Sequence, residues 1–290
     1  MRTLRDKVAV VTGAAGGIGR ATALGLAAEG CHIALVDVSA DRLEVVAAEV
    51  RAFGRRASAH TVDVADRAAM EALPAAVLAA HGQVDVVVNN AGVTVTAGFH
   101  EHDLDDFAWV VGVNLWGVVY GCRFFLPHLM RQPEGHIVNV SSLFGVIGVP
   151  AQTSYCATKF AVRGFTEALA EELRGTTVGI TVVHPGGVAT DIMRHARSAD
   201  PKVRDKLIRF FDKAAIPPEQ AAAQIVGAIR SGAPRLRITR EAYALDLLKR
   251  AFPVWGNQLG VRLLTRTMRF DKEVDEARAR AVAEARQKKP

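Results

Sequence analysis

Two residues one helical turn apart, Tyr155 and Lys159, carry the plainest chemistry in this chain. Spaced i, i+4 in an apolar-periodic segment, they share one helix face. A phenol titrates near ~10 in model peptides, too high for a useful base at neutral pH. A neighbouring ammonium favours the phenolate and lowers that value. A second positive charge bound alongside would lower it further. Tyr155 assisted in this way becomes a general acid/base for an alcohol/carbonyl pair. Such a pair also arises by chance on many helix surfaces, so its meaning rests on what accompanies it.

The accompaniment is a glycine-rich run near the start, Thr12-Gly13-Ala14-Ala15-Gly16-Gly17-Ile18-Gly19, which follows a short apolar stretch and opens a helical one. Glycine allows a tight turn and close approach of the backbone to a diphosphate. The free N–H groups and positive dipole end of the helix complete an anion site. Strand, loop and helix in that order are the context that makes the loop meaningful. Asp37 closes the second apolar run, 18 positions after Gly19. A carboxylate there accepts the ribose hydroxyls of an adenosine and repels a 2′-phosphate. Val38 follows it, and positions 38–40 hold no Arg or Lys, so NAD is preferred. Arg20 keeps NADP open, because it offers a cation to a phosphate.

The elements that must hold these residues are legible as an alternation. Val8–Val11, Ile33–Val36, Val84–Val88, Ile137–Val140 and Ile180–Val183 are short β-rich runs, with Ala57–Val62 a weaker one and Leu236–Thr239 a candidate seventh. Helical patterns cover roughly 18–29, 41–53, 66–80, 103–131, 153–174 and 218–231. Continuous rather than alternating apolar strands belong to a sheet buried on both faces. The alternation with helices makes it parallel and doubly wound. Residues 191–217 break the rhythm: charged, without a strand, and ending in Ile216-Pro217-Pro218. Lying beyond a strand's carboxyl end, this insert is expected to be a substrate lid.

Read together, the loop Thr12–Gly19, Asn89-Asn90-Ala91-Gly92, Asn114 in Val113-Asn114-Leu115-Trp116-Gly117, Ser141-Ser142, Tyr155–Lys159 and Pro185-Gly186 resemble, in order, the motifs of the short-chain dehydrogenase/reductase family. The resemblance spans about residues 5–240 and implies a Rossmann-type α/β fold of about seven parallel strands. Residues 1–240 then form one dinucleotide-binding catalytic domain, and 241–290 a basic helical C-terminal extension. The resemblance also implies roles. Tyr155 matches the catalytic tyrosine, and Lys159 the lysine that lowers its pKa and holds the nicotinamide ribose. Ser142, thirteen positions before Tyr155, matches the serine that bonds the substrate oxygen, leaving Ser141 structural. Asn114 matches the asparagine that holds a water between the lysine and solvent. Asn90, Ala91 and Gly92 flank the adenosine ribose, and Asp63 and Val64 meet the adenine. Pro185, Gly186, Val188 and Thr190 contact the nicotinamide. The cofactor-binding set is completed by Gly13, Ala15, Gly16, Gly17, Ile18, Gly19 and Asp37. No metal is implied. His184, beside Pro185, reads as a packed or surface histidine rather than a second base.

Half of the 290 residues are hydrophobic and 23% are charged, enough for a large core, which excludes a disordered chain. Three scattered cysteines form neither a disulfide framework nor a zinc motif and point to a reduced, cytoplasmic protein. No targeting or membrane-spanning segment is evident. The net charge of +6 is uneven: residues 1–229 hold 21 Lys/Arg and 23 Asp/Glu, whereas 230–290 hold 15 and 7. In the extension, Arg262, Arg266 and Arg269 form one stripe of a helix and Val261, Leu264 and Met268 lie opposite. Such a helix over 241–270 either makes peripheral membrane contact or packs against the body or a second subunit. Nucleic acid is not an expected partner, because the basic cluster has neither aromatic interleaving nor a reading motif. The resemblance implies a homodimer or homotetramer.

The substrate pocket is expected between Thr94–Phe99, Leu143–Val149, Gly187 and the insert. Phe144, Val146, Ile147 and Val149 come from the second segment, and Ile192, Met193, Phe210 and Phe211 from the insert. That lining suits an apolar secondary alcohol or ketone. The first reading is therefore an NAD-preferring alcohol dehydrogenase/ketone reductase. One alternative is an NADPH-dependent 3-oxoacyl-thioester reductase, with Arg194 and Arg197 meeting an anionic carrier. A third is a non-catalytic dinucleotide-binding module docked to a membrane by its tail.

Overall fold

A computed structural model describes residue 1 and residues 3–198, 204–205, 208–209 and 215–268. Strands β1 (Val8–Thr12), β2 (His32–Asp37), β3 (Ala57–Thr61), β4 (Val86–Asn89), β6 (Gly135–Val140), β7 (Val178–Pro185) and β9 (Arg235–Ile238) form one seven-stranded sheet in the order β3-β2-β1-β4-β6-β7-β9. Every pairing in it is parallel. The order reverses between β1 and β4, so a crevice opens at the carboxyl ends of these two strands.

The continuous apolar runs are explained by two cores, one on each face. Along β1, Ala9 and Val11 point into one core with Leu26, Leu35, Ile225 and Ile229, while Val10 points into the other with Met70, Phe125 and Ile137. The first core is covered by α1 (Gly17–Ala28), α2 (Ala40–Ala52) and α7 (Pro218–Ser231), the second by α3 (Arg67–His81), α5 (Gly117–Leu129) and α6 (Thr153–Glu172). The three cysteines are buried and unpaired.

Three departures from the sequence pattern matter for the site. The segment expected as one helix over 103–131 is α4 (Leu104–Val111), a π-helical turn at Gly112–Trp116, and then α5. The widened turn lets the buried Asn114 side chain leave the helix and bond the Val93 backbone. Though long and apolar, this segment packs on the sheet, with Val110, Val118, Cys122 and Phe125 buried. The insert, expected to lack a strand, contains β8 (Arg197–Ser198), which pairs in parallel with β5 (Val95–Thr96). Lastly, the extension forms two helices, α8 (Arg240–Ala251) and α9 (Trp255–Met268), set against the catalytic end of the sheet.

The extension is held by a buried carboxylate. Asp246 on α8 is 1% exposed and accepts from Arg235 at 2.7 Å and Arg237 at 2.9 Å, both on the edge strand β9. Between α8 and α9 the close contact is made by glycines: a Cβ at Gly256 would lie 2.5 Å from the Leu248 carbonyl oxygen, and one at Gly260 2.9 Å from the Leu245 side chain.

Candidate active site

The crevice leads into a cavity of about 690 Å³ that contains the glycine loop at one end and Tyr155 at the other. The loop is shaped by its own residues and by β4. Gly13 and Gly17 have φ of +64° and +52°, left-handed values that glycine adopts without strain. The Asn90 side chain donates to the Thr12 carbonyl at 2.9 Å, and Thr12 Oγ1 accepts from the Asn90 and Ala91 N–H groups. Gly19 packs so closely that a Cβ there would overlap the Gly13 carbonyl oxygen at 2.0 Å. Gly16, by contrast, faces open space, with no atom within 4 Å of the point a Cβ would occupy. Bare backbone turned toward a cavity at a helix N-terminus is a cradle that fits a diphosphate.

Gly13, Ala15, Gly16, Gly17, Ile18, Asp37, Asn90, Ala91 and Gly92 line the cavity, as do Pro185, Gly186, Val188 and Thr190. Gly19, Asp63 and Val64 do not; Asp63 accepts from the Ala65 N–H, and Val64 packs against Gly117. Asp37 accepts from the Ala15 N–H at 3.2 Å and the Ser39 N–H at 3.1 Å, so it also braces the loop. Arg20 is turned away, forked onto Glu49 at 2.9 and 2.6 Å, and is not part of the lining. A cation does reach the rim from further on: Arg42, in the first turn of α2 and beyond the window weighed from the sequence.

At the other end, β6 delivers Ser142 just past its last residue, and α6 delivers Tyr155 and Lys159 from consecutive turns. The Tyr155 phenol lies near enough to Ser142 for that hydroxyl to pull its pKa down, and Ser142 Oγ accepts from the Phe144 N–H at 3.1 Å. Lys159 is buried; its Nζ donates to the Val140 carbonyl at 2.9 Å and stands 5.6 Å from the Tyr155 ring centre. Ser141 Oγ donates to the Lys159 carbonyl at 2.7 Å, a structural bond. Asn114 lies behind the lining. It bonds Val93 N–H at 2.8 Å, the Val93 carbonyl at 2.9 Å and Thr158 Oγ1 at 3.2 Å. A Cβ at Gly92 would be 3.4 Å from both Asn114 Oδ1 and Lys159 Nζ, so these two polar atoms flank one glycine.

The electrostatics differ from the sequence expectation. Burial pushes the Tyr155 phenol up to about 12, against the Ser142 hydrogen bond, which pulls it down. Burial also brings Lys159 down to about 8. Desolvation is the leading influence on both groups: it raises the phenol and lowers the amine beside it. His184 is buried and neutral in character, its Nδ1 3.0 Å from the Ser142 carbonyl oxygen and its Nε2 without a partner. It is a packed histidine, as its sequence position implied.

The remaining lining corrects the expected pocket. Phe144, Val149, Ile192 and Met193 are in it, whereas Val146 and Ile147 belong to the core under α8. Phe210 and Phe211 lie outside the described residues, as does Arg269 of the basic stripe. Arg197 is held by Asp106 at 2.5 Å and stacks 3.8 Å over Trp109, and Arg194 pairs with Asp191 at 3.4 Å. Neither arginine lines the cavity. Sequence reasoning missed the far wall: Ala244, Leu245, Gly260, Leu264 and Thr265 come from the extension. The available signal was Gly256 and Gly260, four apart on one helix face, which mark a close helix contact. Also missed was Gln152, buried and bonded to Thr94 at 2.7 Å and Thr96 at 2.9 Å, a polar strip on the cavity wall.

Residues 7–201 match the family model described as short chain dehydrogenase. The oxidoreductase SadH of Mycobacterium tuberculosis is 43% identical over 254 residues, covering 86% of this chain and 92% of SadH. The 3-oxoacyl-[acyl-carrier-protein] reductase FabG of Thermotoga maritima is 37% identical over 187 residues, covering 64% of this chain and 76% of FabG. Among solved structures, a short-chain dehydrogenase/reductase from Burkholderia phymatum in complex with NAD aligns with a TM-score of 0.81 at 31% identity, covering 87% of this chain and 95% of that one. With its parallel seven-stranded sheet, glycine loop and ordered motifs, this chain belongs to the short-chain dehydrogenase/reductase family.

Proposed function

We propose that this protein is an NAD-dependent oxidoreductase that interconverts an apolar secondary alcohol and its ketone. One observation carries the reading: a single cavity holds the glycine cradle at one end and the Ser142–Tyr155 pair beside Lys159 at the other. A nicotinamide dinucleotide, when bound, supplies the hydride acceptor or donor. The chain's own groups manage the oxygen and the proton. Ser142 Oγ and Tyr155 Oη hold the substrate oxygen. At neutral pH the phenol, near 12, carries the proton that a ketone oxygen needs. In the reverse direction that proton is taken from the alcohol, and Lys159 is placed to stabilise the phenolate. Asn114 is placed to hold a water that connects Lys159 to solvent, with Gly92 lying between the two side chains.

NAD is preferred over NADP because Asp37 puts a carboxylate on the ribose end of the cavity, while Arg20 is engaged by Glu49. The substrate is apolar because Leu143, Phe144, Val149, Ile192, Met193 and Leu264 dominate the substrate end. Replacing Tyr155 with Phe tests the core of the reading. Turnover on a panel of secondary alcohols and ketones is expected to fall by at least about 10²-fold, with NADH affinity retained. Undiminished turnover would reject the assignment.

The FabG relative favours a second reading, reduction of a 3-oxoacyl thioester. Against it, Arg194 and Arg197 are paired with Asp191 and Asp106 rather than turned to the cavity. Assay of 3-oxoacyl thioesters beside simple ketones, with each reduced cofactor, separates the two.

A further inference from the structure

The turn between α8 and α9 has the wrong composition for a turn in water. Surface turns are built from Gly, Asn, Asp, Ser and Pro. Here the usual Pro253 is flanked by Phe252 and Val254, 55% and 67% exposed, and α9 opens on Trp255, 74% exposed. Leu259, one turn further along α9, is 48% exposed and continues the patch. The glycine face of α9 explains the orientation. Gly256 and Gly260 are buried against α8, while Trp255 and Leu259 flank them on the exposed side of α9.

Of the four cations in residues 247–268, Arg250 pairs with Asp246 at 3.4 Å and Lys249 donates to Asn257, while Arg262 and Arg266 lie on α9 beside the patch. Arg262 and Arg266 are exposed on the outer side of α9. An aromatic and apolar tip bordered by arginines matches the boundary of an anionic bilayer. There a Trp ring sits at headgroup depth and Arg side chains extend to lipid phosphates.

We propose that the α8–α9 turn docks this protein on an anionic membrane surface, with Phe252, Val254 and Trp255 entering the interface and Arg262 and Arg266 meeting headgroups. The inner face of the same helix, at Gly260, Leu264 and Thr265, lines the substrate cavity. Docking therefore brings the cavity's far wall beside the lipid, where apolar alcohols and ketones concentrate. The surface argument stands on exposure and charge and does not depend on the catalytic assignment.

The test is flotation of the full chain with vesicles of phosphatidylcholine alone and of an equimolar phosphatidylcholine–phosphatidylglycerol mixture. Wild-type protein is expected to float with the anionic vesicles and to be released by salt. The Phe252→Ser/Trp255→Ser variant should lose at least about tenfold in partitioning with NADH affinity unchanged. Arg262→Gln/Arg266→Gln should lose the preference for anionic over neutral lipid. Wild-type protein left unbound with both vesicles would overturn the proposal, as would variants that float like wild type. Sedimentation equilibrium supplies the remaining outcome. An oligomer that dissociates when Phe252 and Trp255 are replaced would assign the patch to a second copy and overturn membrane docking.

Discussion

Lys159 is a charged amine in a place that disfavours charge. Its Nζ has one partner, the Val140 carbonyl, and burial lowers its titration from 10.5 to about 8. A base whose folded pKa is depressed costs stability while it stays protonated. That cost is complete below about pH 8 and is relieved as pH rises toward 10.5. The shift corresponds to roughly 3 kcal/mol. Lys159→Met keeps the stem and removes the charge. Thermal melts of the cofactor-free variant should show a higher Tm than wild type at pH 7, with the gap closing by pH 10, and turnover should be lost. An equal gap at both pH values would refute the electrostatic account. Tyr155 has the opposite sign: its raised value favours the folded state at lower pH, and that contribution is lost as pH rises from 10 toward 12.

The residues that carry this chemistry were legible because each has a local signature: a glycine run with its helix, or a Tyr–Lys pair one turn apart. Their electrostatic balance was not legible. Whether the ammonium or the burial dominates at Tyr155 depends on the enclosure of both groups, which involves β6, α6 and the loop after β6 together.

Among the elements, α8 depends most on a single interaction. Asp246 is enclosed between Arg235 and Arg237, with the Arg237 guanidinium also 4.5 Å over the Tyr243 ring. Removing one member of a buried pair leaves the other uncompensated, at a typical cost of about 3–5 kcal/mol. Asp246→Ala should lower the urea midpoint accordingly and, because Ala244 and Leu245 line the cavity, raise KM for apolar substrates with little change in kcat. Unaltered stability and KM would show that α8 is held by its apolar contacts alone. The alternation of strands and helices was readable from pattern, including the seventh strand at Arg235–Ile238. The π turn at Gly112–Trp116 was not, because it goes with a long-range bond from Asn114 to Val93 that local pattern does not encode. The strand pair β5–β8 was missed for a similar reason: two residues from each side give no periodicity to detect.

At the scale of the molecule, the glycine loop and the Ser142–Tyr155 end share one cavity, and ligands that bind only the folded chain stabilise it by mass action. NADH at about 100 times its Kd should add roughly 2.7 kcal/mol, read as a rise in Tm, and NADPH at the same concentration less. Asp37→Ser should narrow that difference. If NADPH proves the stronger stabiliser of wild-type protein, Arg42 rather than Asp37 governs the ribose end. The basic excess of residues 230–290 was plain from composition, but its meaning depended on which side of α9 faces outward, and the buried glycines decide that.

One consequence of the Gly256–Gly260 seam concerns variation. The far wall belongs to a hairpin that lines the cavity with Glu241, Ala244, Leu245, Gly260, Leu264 and Thr265, whereas Ser142, Tyr155 and Lys159 come from the end of β6 and from α6. Exchanging side chains along the hairpin can therefore resize the chamber without disturbing the proton-handling apparatus. Within limits set by the seam, the chamber can admit differently shaped ligands while Ser142, Tyr155 and Lys159 keep their places.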